Sequence, residues 1–316
     1  MTLSTPSDGG IVLGLSCGQP GGSAELLLTA ALAAAREGGM DARLIRLDDL
    51  EIAPGPNAGT ADDTAWFWEQ LIECDALIVA VPVLTRTIPG RLKLLADRIL
   101  GPNADAAITT ELLRLQASGV TPAVSFRVDE RVLRPRVAGF IAVGGSLTPR
   151  WTTLALPLLH TLTFSMRIAV VDQVQFAGAG MPRSVVLDDS AMARATQLGR
   201  NVTGQVGARF EDAKYLADKP GLCPSCHLDV FVLRGQEAEC ATCGTSGELV
   251  VIDGAVTVRF PAGRARGSVT SMEELRDHFF EIQQTAARQG AQADEIARRA
   301  KIYEPSAFTV RPERSQ

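Results

Sequence analysis

The feature that most constrains the fold lies near the start of the chain, where an apolar strand runs into a loop of small residues. Residues 11–15 are short, branched and apolar, which is typical of a strand buried on both faces of a sheet. Residues 16–23 are rich in glycine and serine, and the alanine- and leucine-rich residues 24–36 predict a helix. Glycines let a backbone approach a phosphate closely, and a helix N-terminus offers free N–H groups and partial positive charge. The sequence therefore predicts a phosphate-binding loop in an α/β protein.

The same loop permits other interpretations. Residues 14–18, Gly-Leu-Ser-Cys-Gly, fit the nucleophile elbow of hydrolases, but that elbow normally follows several earlier strands and none precedes it here. A dinucleotide site is a second alternative, because Asp48 lies at a ribose-binding position after the next strand, although the Gly-x-Gly-x-x-Gly order is broken. A tight turn that binds nothing is a third. A P-loop is excluded, since no Gly-Lys-Ser/Thr follows.

Apolar, strand-like runs alternate with helical segments through the first two thirds of the chain. Further strands are predicted at residues 42–47, 75–81, 139–143 and 168–176. Further helices are predicted at residues 64–73, 90–100, 109–116, 151–166 and 191–209. Together with the first strand, this alternation predicts a doubly wound, five-stranded parallel sheet with helices on both faces.

Residues 82–93, Pro-Val-Leu-Thr-Arg-Thr-Ile-Pro-Gly-Arg-Leu-Lys, resemble the flavin loop of the flavodoxin-like NADPH-dependent FMN reductase family. The opening loop is similar to that family's phosphate loop, and residues 144–146 resemble its third cofactor loop. All three follow the ends of predicted strands, where open α/β sheets bind ligands. The resemblance covers residues 10–210. It implies a flavodoxin-like fold, bound FMN, NADPH or NADH as hydride donor, and a homodimer or homotetramer.

The family's three loops, carried over onto this sequence, imply a set of cofactor-binding residues. These are Ser16, Gly18, Gly21, Gly22, Ser23, Pro82, Val83, Leu84, Thr85, Arg86, Thr87, Gly144, Gly145 and Ser146. The sequence departs from the family pattern where Leu84 and Thr85 replace a tyrosine and a second aromatic residue, and where Gly18 replaces a basic residue. Arg86 is a candidate to supply the missing charge. No catalytic side chain is predicted, because the flavin itself carries the redox chemistry.

A second motif begins near residue 220. Cys223 and Cys226 form one Cys-x-x-Cys pair, and Cys240 and Cys243 form another after thirteen intervening residues. Two such knuckles complete a tetrahedral four-sulfur site, and the β-type runs around them indicate a zinc-ribbon-like module. Iron of the rubredoxin kind is an alternative with the same geometry, and zinc is favoured because His227 replaces the glycine usual in rubredoxins. A haem attachment site is disfavoured by the second cysteine pair, so His227 is interpreted as a surface residue.

Net charge and hydropathy limit the classes of molecule that the protein is expected to bind. A net charge of −5 argues against nucleic acid as a ligand, and no apolar run is long enough to cross a membrane. A polar start without signal-peptide features predicts a cytoplasmic protein, in which the cysteines are reduced or bind metal.

Several residues outside these motifs have two interpretations. Arg127, Arg131, Arg134 and Arg136, within a long connection at residues 101–136, could meet nicotinamide phosphates, but a solvated basic face is favoured. A connection of this length near a ligand site is typical of a lid, and a dimer contact is an equal alternative. His160 is expected to be a buried, hydrogen-bonded histidine. A thiol beside a helix N-terminus can have a lowered pKa, although packing is the favoured role of Cys17.

These observations divide the chain into three parts: an FMN-binding domain (residues 1–215), a four-cysteine module (219–262) and a C-terminal helix and tail (268–316) that begins with a capping box at Ser271. The predicted activity is an FMN-dependent NAD(P)H oxidoreductase that passes hydride to a flavin, a quinone or another small-molecule acceptor. A flavin enzyme acting on one particular metabolite is an alternative. A flavin-binding electron-transfer or regulatory protein whose ribbon docks a partner is another.

Overall fold

A computed structural model describes residues 9–55, 61–217, 223–262, 267–303 and 309–310. Its central feature is a parallel sheet with the strand order β2-β1-β3-β4-β5, which confirms the flavodoxin-like prediction. The strands are β1 (Ile11–Ser16), β2 (Asp41–Arg46), β3 (Ala76–Pro82), β4 (Val137–Val143) and β5 (Ala169–Phe176). The three central strands are apolar along most of their length because helices cover both of their faces.

The helices form one layer on each face of the sheet. Helices α1 (Ser23–Glu37) and α6 (Asp189–Thr203) pack on one face. Helices α2 (Thr64–Glu73), α3 (Gly90–Ile99) and α5 (Ala155–His160) pack on the other. The predicted helix at residues 64–73 is confirmed, and the predicted helices at 90–100 and 24–36 agree with the structure to within one residue at each end.

Helices α1 and α6 cross at unusually short range. A Cβ atom placed on Gly199 of α6 would lie 2.1 Å from the backbone oxygen of Ala31 in α1. Such a separation is far below any real contact, so the crossing requires glycine at this position.

The predicted helix at residues 151–166 is wrong in extent, since only the six residues of α5 are α-helical. Pro157, which has no N–H group to donate, prevents an α-helix from extending towards Trp151, and threonine hydroxyls add local alternatives. Those of Thr152 and Thr161 donate to the carbonyl oxygens of Pro149 and Leu158, three residues earlier in each case. Such local bonds offer the backbone an alternative to a continuous helix. The predicted helix at 191–209 likewise ends early, at Thr203.

The long connection at residues 101–136 contains α4 (Ala106–Ala117), and it holds the C-terminal helix α7 (Met272–Gly290) against the first domain. Phe279 of α7 is fully buried against α4, and the Gln283 amide both donates to and accepts from the backbone of Val124. Glu111 of α4 is buried and pairs with Arg276 of α7. The connection is therefore a docking platform for α7, whose predicted cap at Ser271 is confirmed. A separate helix, α8 (Ala293–Ala300), follows α7.

The cysteine module contains a four-stranded antiparallel sheet in the order β6-β7-β8-β9. Its strands are β6 (Phe231–Arg234), β7 (Glu237–Cys240), β8 (Ser246–Ile252) and β9 (Ala255–Arg259). The hairpin turn predicted at Asp253 and Gly254 is confirmed, because both residues have the positive φ that a two-residue turn of this kind needs. Strand β7 escaped prediction because it is short and half of its residues are glutamates.

Candidate functional site

The loops predicted to bind a cofactor meet at one edge of the parallel sheet. Each loop is held to the neighbouring strand or loop by a backbone hydrogen bond that continues the ladder: Cys17 donates to Ala80, Val83 donates to Val143, and Gly144 donates to Phe176. Because all five strands are parallel, their carboxyl ends share this edge, which is where ligands bind in open α/β sheets. The structure therefore brings the three predicted loops together.

The loop after β1 presents two hydroxyl groups that have no protein partner. The Oγ atoms of Ser16 and Ser23 are buried without a partner at hydrogen-bond distance, and Ser16 lies near enough to the Glu25 carboxyl to help lower its pKa. A buried hydroxyl without a partner costs stability, so two such groups at the end of one strand are available to bind a polar ligand. The N-terminus of α1 begins at Ser23 and adds its unpaired N–H groups. This donor set fits the phosphate of a flavin mononucleotide.

A buried ion pair holds the phosphate loop in place. Glu25 is only 4% exposed, accepts a hydrogen bond of 3.0 Å from the Gly21 N–H and forms a bidentate pair with Arg46 of β2. Hydrogen bonding by Arg46 lowers the pKa of the Glu25 carboxyl, and the Gly21 N–H adds to this effect. Because its N–H group is bound to Glu25, Gly21 shapes the loop instead of offering that donor to a ligand.

The loops after β3 and β4 form the walls of an open cleft. Its lining comprises Val83, Thr85, Arg86, Gly144, Gly145, Ser146, Trp151 and Thr152. Thr85 and Arg86 both have positive φ, and the Leu84–Thr87 bridge closes the tight turn around them. Gly144 is needed here, since a Cβ atom would come within 2.4 Å of the Thr152 side chain. The cleft is thus formed by the backbone of the loops after β3 and β4 and by the exposed aromatic side chain of Trp151.

Trp151 is the residue of this cleft that sequence reasoning missed. Its side chain is 57% exposed beside Thr85 and Arg86, the loop in which the family's aromatic residues are absent. The segment was predicted as part of a helix packed on the sheet, so nothing in the local pattern pointed to an exposed aromatic group. Arg86 is held in this cleft by a hydrogen bond of 3.0 Å from its Nε atom to the Arg150 carbonyl.

Three of the four arginines of the long connection, Arg131, Arg134 and Arg136, are not in this site. Arg134 pairs with Asp75, which immediately precedes β3, and Arg131 pairs with Glu69, Glu73 and Asp129. Arg136 is buried and donates to backbone carbonyl groups, including that of Cys74. All of these partners lie at the amino ends of the strands, opposite the cofactor loops. The interpretation of Arg131, Arg134 and Arg136 as nicotinamide-phosphate ligands is therefore wrong, as is that of a solvated face for Arg136. Arg127 lies over the Trp68 ring, 5.3 Å from its centroid.

The isolated cysteines and His160 are also structural. Burial raises the pKa of the Cys17 thiol well above its ordinary value, so the helix N-terminus does not activate it. Burial raises the pKa of Cys74 to about 12. His160 is 2% exposed and its Nε2 lies 2.8 Å from the Gln173 side-chain oxygen, as expected of a satisfied core histidine. Burial lowers its pKa to about 4.

The four cysteines of the second motif converge as predicted. Cys223, Cys226, Cys240 and Cys243 are all buried, and their sulfur atoms lie within 4.8 Å of one another. The Cys223–Cys243 and Cys226–Cys240 sulfur pairs are each 3.4 Å apart. A tetrahedral metal with sulfur ligands at roughly 2.3 Å separates them by roughly 3.8 Å, so the donor set fits such an ion closely. Hydrogen bonding among the four thiols lowers the pKa of Cys243 and raises that of Cys226, so the first proton is lost from Cys243.

The cysteine module is docked on the first domain beside the cleft. The Gln173 side-chain amide of β5 donates to the Cys226 carbonyl at 3.1 Å, and Leu156 and Phe164 pack against the cysteine cluster. His227 is not a free surface residue: its ring stacks on Tyr215 at a centroid distance of 4.1 Å. Burial lowers the pKa of His227 to about 4.

Among the helices of the described residues, none is long and apolar enough to cross a membrane. A sequence model of the NADPH-dependent FMN reductase family matches residues 12–181. The chain is similar to flavone synthase cfoJ of Aspergillus candidus, with 35% identity over 300 residues that cover 88% of this chain and 90% of that protein. It is also similar to a solved flavone reductase, with a TM-score of 0.80 and 26% identity over 96% of this chain and 100% of the other.

These similarities confirm the family that the three loops indicated, and with it an FMN-dependent oxidoreductase. The family match spans more than half of the chain, from the strand before the phosphate loop to the turn after β5. The chain belongs to the NADPH-dependent FMN reductase family.

Proposed function

We propose that this protein is an FMN-dependent NAD(P)H oxidoreductase that reduces the conjugated double bond of a flavone-type aromatic ketone. The observation that supports this substrate class is the similarity to two proteins named for flavones, which extends over 88% and 96% of the chain and so includes the cysteine module. The residues around the cleft support it independently.

The cleft offers apolar surface suited to a flat aromatic molecule. Leu84, Leu147, Trp151 and Met181 lie in or beside the cofactor loops, and each is more than half exposed. Exposed apolar groups concentrated around a ligand site mark a binding surface, and an exposed tryptophan provides a face for aromatic stacking. This surface favours an aromatic acceptor over a small polar one.

In this reaction NAD(P)H is oxidised and the C2=C3 bond of the flavone is reduced to a single bond. Bound FMN supplies the two-electron transfer between the two molecules. One hydrogen of the product comes from NAD(P)H as hydride and the other from solvent as a proton, giving a flavanone and NAD(P)⁺. Among the described residues that line the cleft, none has a carboxyl or imidazole side chain, and Arg86 is the cationic one. Its guanidinium can stabilise the negative charge that develops on the ketone oxygen.

The test measures substrate reduction directly. Protein reconstituted with FMN is mixed with NADPH or NADH and offered a flavone, a quinone or free riboflavin, and products are identified by mass. We expect the flavone to gain two hydrogen atoms at a rate well above that for the other acceptors. Bound FMN with equal rates for all three acceptors would refute the substrate class. Failure to retain FMN would refute the whole proposal.

We also propose that the four-cysteine site holds zinc with a structural role. The knuckle of Cys226 and His227 faces the protein's own β5 and Tyr215. This arrangement favours a structural role for the module over the docking of a partner protein. Metal analysis with an absorption spectrum tests this. One zinc per chain is expected, whereas stoichiometric iron with thiolate charge-transfer bands would make the site an electron carrier.

A further inference from the structure

The phosphate loop lacks a cation of its own. Residues 16–23 contain no basic side chain, although a phosphate monoester carries nearly two negative charges at neutral pH. The nearby charge of Arg46 is neutralised by Glu25. Arg86 belongs to the cleft lined by Thr85 and Trp151, and its Nε is bound to the Arg150 carbonyl. The donor set of two serine hydroxyls and a helix N-terminus is therefore incomplete for a dianion.

A different arginine reaches this loop from the turn that follows the edge strand β5. Arg183 lies in the turn after β5, and its Nη2 atom is 3.1 Å from the place where a Cβ atom of Gly21 would be. Its side chain is exposed, and it forms no ion pair with any residue that the structure describes. Its guanidinium thus lies directly over the phosphate loop with its donors available.

The fold holds this arginine in position. Arg183 has a φ of +64°, a conformation that costs energy in a residue other than glycine and persists only where its surroundings fix it. The next turn of chain does so, because Val185 is buried in the apolar cluster that contains α1. The neighbouring Ser184 Oγ is buried without a partner, like the hydroxyls of Ser16 and Ser23.

We propose that Arg183 binds the phosphate of FMN and so selects FMN over riboflavin, replacing the basic residue that the family has at the position of Gly18. The inference rests on FMN being the cofactor and on no particular acceptor. A guanidinium suits the task because its planar, forked donors match two phosphate oxygens at once. Removing a charge-assisted contact of this kind lowers affinity by about 10- to 100-fold.

The test compares the affinities for FMN and riboflavin by titration of flavin-free protein, using flavin fluorescence. Arg183→Gln is expected to weaken FMN binding about 10- to 100-fold and to leave riboflavin binding unchanged. Arg183→Lys retains the positive charge but not the forked donors, and its affinity for FMN is expected to lie between those of the wild type and Arg183→Gln. Arg200→Gln is the matched control, because it removes the same charge near Glu37 at the opposite end of α1. It should change neither affinity.

Two results would overturn the inference. The first is an Arg183→Gln variant whose ratio of FMN to riboflavin affinity equals that of the wild type. The second is a phosphate-specific loss in Arg86→Gln but not in Arg183→Gln, which would assign the charge to Arg86. Wild-type protein that binds neither flavin would instead refute the cofactor assignment, so the two failures are distinguishable. Thermal unfolding of each variant verifies that the exposed substitution leaves the fold intact.

Discussion

The close crossing of α1 and α6 makes Gly199→Ala a sharp test of how the fold positions the phosphate site. The new methyl group would lie 2.1 Å from the Ala31 backbone oxygen, and a backbone atom cannot rotate away, so the helices must separate by roughly 1 Å. Overpacking of this kind costs about 1–3 kcal/mol, occasionally more, and the better helix propensity of alanine returns at most about 1 kcal/mol. We take the overpacking cost near the upper end of its range and expect the free energy of unfolding to fall by about 2 kcal/mol. This corresponds to a Tm lower by roughly 4–8 °C.

The loss should extend to cofactor binding, because α1 begins at Ser23 and the Arg183 turn packs on α1 through Val185. Urea denaturation gives the unfolding free energy, and flavin titration gives the affinity. Gly290→Ala is the matched control, since a Cβ atom there meets nothing within 4 Å. A Gly199→Ala protein within about 0.5 kcal/mol of wild type, at an unchanged denaturant slope, would refute the steric reasoning.

Three other perturbations act on separate parts of the molecule. Cys240→Ala, or removal of the metal by a chelator, should unfold the cysteine module and abolish amide protection in β7 while the parallel sheet persists; protection that survives would contradict a metal-dependent module. Ser23→Ala should weaken FMN binding about 5-fold without lowering the stability of the flavin-free protein, because its hydroxyl has no protein partner; equal weakening of riboflavin binding would contradict a phosphate contact. The pKa of His160 is about 4 when folded and 6.5 when unfolded, so the unfolded chain takes up the proton first and stability falls as the pH drops from 6.5 to 4. His160 contributes up to about 1.4 kcal/mol per pH unit to this slope, and a His160→Gln variant measured by denaturation at each pH should lose that contribution while keeping the contribution of His227, whose pKa burial also lowers.

Much of the fold could be predicted because its strands, helices and metal knuckles are specified by residues that are close together in the sequence. The buried strands are apolar runs bounded by glycine, proline or aspartate, and the helix Thr64–Glu73 has its predicted bounds. The cysteine cluster was predictable from spacing alone, since two knuckles have few other ways to satisfy four thiols. The cap at Ser271 was visible because its partner Glu274 is three residues away.

The features that escaped prediction depend on contacts between distant residues. Arg183 lies far from Gly21 in sequence, and only the turn after β5 brings it over the phosphate loop. Arg136 looks like a surface charge, yet it is buried because backbone carbonyl groups around Cys74 accept its hydrogen bonds. His227 follows a metal knuckle and stacks on Tyr215, a residue from the other domain. None of these contacts between distant residues produces a recognisable pattern in the local sequence.

The position of the cysteine module suggests why it accompanies this flavin domain. Gln173 and Gln175 are alternate residues of β5 and lie on the same face of the strand. The first donates to the Cys226 carbonyl, and the second donates to the Thr152 hydroxyl in the cleft wall. The segment that carries Trp151 is only briefly α-helical, and Leu156 packs it against the cysteine cluster. The cysteine module thus contacts both the strand and the segment that form this wall of the cleft.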